Sequence, residues 1–128
     1  YAVPGQMRYL RENQGRFHKI LLNINIDGAG YKEGKSAFSF YDLPEEFKKK
    51  ASDVLQKFDG IVEGVPWFQG DHSIFIQNGR PAIAVSSEWF TNNVDSQEIT
   101  HTPKDSPEIV DCRKVVEIAE ALNLLVTK

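Results

Sequence analysis

Apolar and polar residues along the chain follow two spacings, one typical of strands and one typical of helices. Short apolar runs and period-two alternation predict β-strands at 19–27, 36–41, 61–65 and 82–86. Boundary residues predict helices that begin near Pro4, Leu43 and Ser106, and a shorter helix that ends at Asn78-Gly79. The two longer helices carry apolar stripes, which are Phe47, Ala51, Val54, Leu55 and Phe58 in one and Val115, Ile118, Ala119, Leu122 and Leu125 in the other.

The order of these elements predicts the fold class. Strands alternate with helices, which is typical of a three-layer αβα protein with a mostly parallel sheet and helices on both faces. The apolar run Ile20–Leu22 predicts that the first strand is central and buried on both faces. The stretch 87–105 has neither spacing, and we expect a long functional loop there. In open sheets of this kind, ligands bind beyond the carboxyl ends of the strands.

Composition excludes several classes of function. The 128 residues are 41% hydrophobic and 26% charged, and 15 Lys and Arg against 18 Asp and Glu give a net charge of −3. This near-neutral balance argues against a nucleic-acid partner, and no apolar run is long enough to span a membrane. The single cysteine, Cys112, excludes an intrachain disulfide, and we expect it to be a small buried side chain on a helix.

The beginning of the sequence bears on completeness and location. It starts at Tyr1 without Met and has neither a basic nor an apolar leader segment, so a signal peptide is not predicted and a fragment is indicated. The lone cysteine and the absent leader fit a cytoplasmic protein. A removed N-terminal portion could have carried a leader, so the compartment stays open.

Two residues are candidate metal ligands. Asp27 ends an apolar strand, where a desolvated carboxylate needs a partner such as a metal ion; the alternative is a turn residue, because Asp-Gly is a common turn signal. His101 lies in the long loop, and Asp105 four residues later could hold its second ring nitrogen. The alternative for His101 is an exposed loop histidine, with Asp105 helping to cap the last helix. Local sequence alone favours the simpler interpretation for both.

Other residues near these positions are secondary candidates. Asp71 either caps a helix or acts in the site, and His72 either orients substrate or fills the loop. Four loop aromatics either line a substrate pocket or pack beneath the loops, namely Trp67, Phe68, Trp89 and Phe90. No nucleophile elbow, phosphate-binding glycine loop or His-Glu-x-x-His segment is present.

Taken together, five segments resemble the zinc-dependent aminopeptidases with two co-catalytic metals. That family also contains glutamate carboxypeptidase and the peptidase-like domain of transferrin receptor. The resemblance covers nearly the whole chain and depends on the order and spacing of Pro4-Gly5-Gln6 with Tyr9-Leu10, Asn25-Ile26-Asp27-Gly28, Gly70-Asp71-His72-Ser73-Ile74-Phe75, Gly79-Arg80-Pro81-Ala82 and His101-Thr102-Pro103-Lys104-Asp105.

The resemblance implies roles for individual residues. Asp27 would bind one zinc ion and His101 the other. Asp105 would support His101 from behind, and Asp71 and His72 would lie close to the site or the substrate. The implied activity is hydrolysis of N-terminal peptide bonds by a dinuclear zinc centre.

The sequence also departs from the family pattern. A His-x-Asp segment with the metal-bridging Asp and a Glu-Glu pair with the general base both precede the matching region in that family, and nothing in the chain replaces them. Residues 1–128 are therefore expected to be the C-terminal portion of a single catalytic domain, incomplete at its N-terminal side. Because each metal would keep one ligand, we expect weak zinc binding and no hydrolysis by the isolated chain.

The same departure bears on partners. The full-length parent would bind a peptide substrate, and the chain is expected to bind no nucleic acid and to contain no membrane span. An exposed sheet edge would favour homo-oligomers. The alternative function is a non-catalytic peptidase-like binding domain, which an upstream sequence lacking either missing motif would indicate.

Overall fold

The structure is a computed structural model that describes residues 3–127. Its helices and strands alternate along the chain much as the spacing predicts. The strands are β1 (Asn23–Ile26), β2 (Ser36–Tyr41), β3 (Ile61–Glu63) and β4 (Ala82–Ser87). The helices are α1 (Pro4–Glu12), α2 (Glu45–Leu55), α3 (Ser73–Gln77), α4 (Glu88–Asn93) and α5 (Cys112–Val126).

The strands form one mixed sheet in the order β1-β4-β2-β3. β1 runs parallel to β4, and β2 runs parallel to β3, while β2 and β4 pair antiparallel with Ser36 opposite Ser87 and Tyr41 opposite Ala82. The carboxyl ends of β1 and β4 therefore lie at one edge of the sheet. The mostly parallel α/β fold is confirmed.

Alternate residues of the central strands fill two separate cores. Ile83 and Val85 of β4 pack with Phe38 beneath α2 and α5, whereas Ala82 and Ala84 pack with a second cluster on the opposite face. β4 is buried along its whole length, as a strand covered on both faces must be. Each fully buried large apolar side chain contributes about 1.5–3 kcal/mol. The sheet is thus the middle of three layers.

The prediction that the first strand is central was wrong. Residues 17–19 form a 3-10 turn, β1 begins only at Asn23, and Leu21 is 88% exposed. The outer edge of β1 has no partner strand among residues 3–127. The interior position belongs to β4, because β4 is inserted between β1 and β2.

The prediction of an uninterrupted loop at 87–105 was also wrong. α4 begins directly after β4, and the Ser87 hydroxyl caps it by accepting a hydrogen bond from the Phe90 amide at 3.1 Å. Glu88 in the first turn complements the helix dipole. The Ser-Glu cap signal is therefore present in the sequence.

The last helix begins later than its apparent start signal. Pro107–Ile109 form a 3-10 turn, after which Val110 is extended and bridges to Tyr31. α5 is capped by Asp111, whose side chain accepts a hydrogen bond from the Arg113 amide at 3.0 Å. Its buried side chains are Ile118, Ala121 and Leu125, so the expected stripe is rotated and Val115 and Ala119 are exposed. Cys112 is also exposed, contrary to expectation.

None of the described helices has the length and apolar character that a membrane crossing requires.

Candidate active site

A cavity of about 690 Å³ opens beyond the carboxyl ends of β1 and β4. We call it the strand-end cavity. Its polar wall is formed by Asp27, Gln69, Ser87, Gln97, Thr100, His101 and Asp105. Its apolar and aromatic wall is formed by Tyr31, Trp67, Trp89, Phe90, Val94, Ile99, Ile109 and Val110. Parallel strand ends are the usual place for ligands in such folds.

Asp27 occupies the turn that directly follows β1. Its backbone amide continues the sheet by donating to the Val85 carbonyl at 3.0 Å, and Gly28 then turns the chain with φ of 64°. Asp27 also lines the cavity. It is thus a turn residue that lies in the cavity wall, at the carboxyl end of β1.

His101 and Asp105 reach the same cavity from the loop between α4 and α5. His101 is exposed and has φ of 62°, a left-handed conformation that costs a non-glycine residue about 1–2 kcal/mol. Strained residues of this kind concentrate at functional sites. The structure therefore brings Asp27, His101 and Asp105 to one cavity, although they are far apart in the sequence.

The donor chemistry of these residues suits zinc, but the set is incomplete. Carboxylate oxygen and imidazole nitrogen are common zinc donors, and a catalytic ion has about three protein ligands. Within residues 3–127, no group of three or more His, Cys, Asp or Glu side chains is arranged to hold a metal ion. The described residues thus fit part of a zinc site and do not form a whole one.

Aromatic rings make up much of the cavity wall. Tyr31 packs on Trp89 with ring centroids 4.9 Å apart, and Trp67 meets Phe90 edge to face at 5.8 Å. Phe68 does not line the cavity; it is 58% exposed and packs against Tyr41. Trp67 packs beneath the loop, where it is 3% exposed, and it lines the cavity as well.

Asp71 and His72 lie outside the lining of the strand-end cavity. Asp71 is exposed and does not cap α3; it accepts a hydrogen bond from Gln6 Nε2 at 2.6 Å and ties α1 to this loop. His72 is fully buried, with its ring between Tyr41 and Trp67. Burial lowers the pKa of His72 from its usual value, while its bond to Trp67 and the nearby Asp27 and Asp71 oppose that shift.

One contact at the cavity wall has no signal in the sequence. The Lys114 ammonium of α5 donates hydrogen bonds to the carbonyl oxygens of Tyr31, Lys32 and Gly34. These carbonyls belong to the segment after β1, which lines the cavity through Gly28, Ala29 and Tyr31. In the sequence, a lysine on a helix surface is interpreted as a solvated charge. Only the folded chain reveals that Lys114 binds these backbone carbonyls.

Comparison with known proteins identifies the family of this chain. Peptidase family M28 matches residues 5–126, which is most of the chain. The chain belongs to peptidase family M28. The match includes Asp27, His101 and Asp105, and it confirms the resemblance on which their assignment depends.

A solved structure shows the same fold as this M28 chain. An aminopeptidase from Aneurinibacillus sp. strain AM-1 superimposes with a TM-score of 0.70 at 17% sequence identity. The match covers 95% of this chain and 29% of that protein, so the chain spans less than a third of the length of its structural relative. No curated protein matches the sequence.

Proposed function

We propose that this chain is the C-terminal portion of the catalytic domain of a zinc-dependent aminopeptidase. The observation that carries the proposal is the meeting of Asp27 and His101 at one strand-end cavity. They reach it from two different elements, as ligands of a shared metal centre would. Membership of family M28 supports hydrolysis of peptide bonds as the activity of the full-length parent.

Each side of the cavity would have its own task. Asp27 would supply a carboxylate oxygen and His101 an imidazole nitrogen to the metal centre, and Asp105, which lines the same cavity, would support the imidazole. Two zinc ions, when bound, would polarise the scissile carbonyl and lower the pKa of water. The aromatic wall would hold the N-terminal side chain of a peptide and exclude water from it.

The isolated chain is proposed to be inactive. Zinc needs more ligands than the described residues bring together, and proton transfer needs a general base that we place upstream of this chain. Intact mass and elemental zinc, measured on one purified sample of the chain, test this. We expect negligible zinc at a mass near 14.5 kDa. Stoichiometric zinc at that mass would contradict the proposal that this chain holds only part of the zinc site.

The metal ligands are tested in the full-length parent. Asp27→Ala and His101→Ala should each lower hydrolysis of L-leucine p-nitroanilide by at least about 100-fold, because several kcal/mol of transition-state stabilisation depend on the metals. Zinc content should fall in the same variants. Asp95→Ala is the matched control, since Asp95 is an exposed carboxylate in the same loop that does not line the cavity.

Two results would contradict parts of this proposal. Full zinc content and activity in Asp27→Ala would exclude Asp27 as a ligand. A wild-type parent that hydrolyses no aminoacyl p-nitroanilide, and whose upstream sequence lacks His-x-Asp or Glu-Glu, would instead indicate a non-catalytic peptidase-like binding domain.

A further inference from the structure

His72 is a fully buried polar residue that the proposed metal site does not use. Its Nε2 lies 2.7 Å from the carbonyl oxygen of Trp67, and its Nδ1 lies 3.3 Å from Asn25 Nδ2. The imidazole therefore joins two parts of the molecule, the loop before α3 and the edge strand β1. A buried polar group with both ring nitrogens bonded is costly to replace.

The bonding partners assign the tautomer of His72. A carbonyl oxygen only accepts, so Nε2 carries the proton and donates to Trp67. In the neutral ring Nδ1 is then an acceptor, and the Asn25 side-chain amide donates to it. Because burial favours the neutral ring, this tautomer satisfies both nitrogens at once.

Trp67 is held at both of its backbone groups by buried side chains. Its carbonyl oxygen accepts from His72 Nε2 and from the Tyr41 hydroxyl at 2.5 Å, and its amide donates to the same hydroxyl at 2.8 Å. A side chain at Gly70 would approach the His72 ring to within 2.8 Å. The loop therefore closes tightly over the imidazole.

Both ends of this bridge belong to the strand-end cavity or adjoin it. Trp67 forms part of the aromatic wall. Asn25 lies in β1 two residues before Asp27, so their side chains leave the same side of the strand. The His72 imidazole thus links the Trp67 wall, which Tyr41 also holds, to the strand that leads to Asp27.

We infer that His72 is a positioning residue that sets the Trp67 wall of the strand-end cavity against the end of β1 that carries Asp27. It touches neither substrate nor metal, and it acts through its two hydrogen bonds. Its part in catalysis rests on the proposed peptidase function. The bridge itself is a property of this chain and can be tested without activity.

Two variants separate the two bonds. In His72→Gln the side-chain amide replaces Nε2 as donor to Trp67 and leaves Asn25 without its acceptor. In His72→Asn the shorter amide replaces Nδ1 and leaves the Trp67 carbonyl without its donor. Amide hydrogen exchange, followed by NMR in metal-free buffer, reports on each end at the Trp67 and Asp27 amides, with the Ile118 amide in α5 as the reporter of global stability.

A crossed pattern is expected. Relative to Ile118, exchange at Trp67 should rise about tenfold in His72→Asn and stay within about twofold of wild type in His72→Gln. Exchange at Asp27 should rise in His72→Gln and stay near wild type in His72→Asn. In wild type, the imidazole 15N shifts should show the Nε2–H tautomer. Parallel changes at all three amides in both variants, or an Nδ1–H tautomer, would overturn the inference.

Kinetics in the full-length parent keep this inference separate from the proposed function. His72→Asn should raise KM for L-leucine p-nitroanilide about tenfold, because the wall that receives the side chain is loosened, with a smaller change in kcat. Equal loss of kcat and kcat/KM would count against a positioning role. If Asp27→Ala kept its zinc and its activity, the proposed function would fail. The exchange pattern expected for the His72 variants would still hold.

Discussion

His101 is the residue at which backbone strain and the proposed function coincide. Its positive φ is shared within residues 3–127 by one other non-glycine residue, Asp42, which lies in the turn before α2. Asp, Asn and His adopt this conformation several-fold more often than other non-glycine residues do. The left-handed backbone of His101 lowers the stability of the fold. Because the side chain is exposed, no packing compensates for this cost.

Replacing His101 by glycine should separate stability from function. His101→Gly relieves the left-handed backbone, and we expect the isolated chain to be stabilised by about 1 kcal/mol in thermal or urea unfolding. The same change in the full-length parent should abolish zinc retention at this position. His18→Gly is the control, because His18 is exposed in a 3-10 turn without positive φ and should only lose stability. Destabilisation by His101→Gly would refute the strain argument.

The buried His72 makes stability depend on pH. Its folded-state pKa lies below the usual 6.5, with burial as the main cause. Below that pH the unfolded chain takes up a proton that the folded chain resists, so stability falls as pH decreases from 6.5 towards the folded-state pKa. Above 6.5 this group adds no pH dependence.

Urea unfolding of the metal-free chain between about pH 7.5 and about pH 5.5 measures this effect, which is at most about 1.4 kcal/mol per pH unit. Asp27 and Asp71 oppose it by their negative charge, and the Tyr41 ring packs against the imidazole without a charge at these pH values. The wild type should lose more stability on acidification than His72→Gln. His18→Gln, an exposed histidine variant, should behave as wild type does. Equal slopes for wild type and His72→Gln would exclude His72 as the source.

At the level of elements, Lys114 connects α5 to the segment that follows β1. Its three carbonyl partners span Tyr31 to Gly34, and the neighbouring backbone bonds join Lys32 to Ile109 and Asp111 to Gly30. α5 thereby holds the Tyr31 side of the cavity in place. One helix supports both the core beneath the sheet and the wall of the site.

Lys114→Met should loosen this wall without unfolding the core. The three carbonyls lose a charged donor, and exchange of the Lys32 and Asp111 amides should accelerate by about tenfold relative to Ile118. Lys50→Met is the matched control, because Lys50 also bonds two carbonyls, those of Leu125 and Thr127, but far from the cavity lining. Unchanged exchange at the Lys32 amide would show that the segment after β1 keeps its shape without the Lys114 hydrogen bonds.

At the level of the whole molecule, the two sheet edges differ. β1 has four residues against three in β3, and its outer edge lies beside the exposed Leu21 and Ile26. The amides of Asn23 and Asp27 point to β4, so those of Ile24 and Ile26 point outwards. We propose that two copies of the isolated chain pair along this edge, as unpaired strands favour.

Ile26→Pro tests the edge. Proline removes an outward amide while the bonds to β4 remain, so the variant should be monomeric in size-exclusion chromatography with light scattering, while the wild type forms dimers. Leu21→Ser is the control. It removes a more exposed apolar side chain and leaves the outward amides of β1 unchanged. A monomeric wild type would contradict edge pairing.

The cytoplasmic location and the assignment of residues 1–128 to one catalytic domain stay predictions.

Local patterns determined much of the fold and named the ligand candidates. The stripe of α2, the alternation in β2 and the apolar run of β4 are periodic features, and period reports directly on which side of an element is buried. A strand end and a loop position make Asp27 and His101 candidates, and only the resemblance to the dinuclear zinc aminopeptidases favours them as zinc ligands. The sequence also contains the Ser87 cap of α4, which the prediction of a loop over 87–105 did not take into account.

Only the tertiary structure decided which strand is interior, which face of α5 is buried and what His72 and Lys114 do. β1 has an apolar approach and still lies at an edge, because strand order is a matter of non-local pairing. His72 and Lys114 act on carbonyl oxygens, which every residue carries and no sequence distinguishes. A sequence states which side chains are available, and the fold alone states which backbone groups they meet.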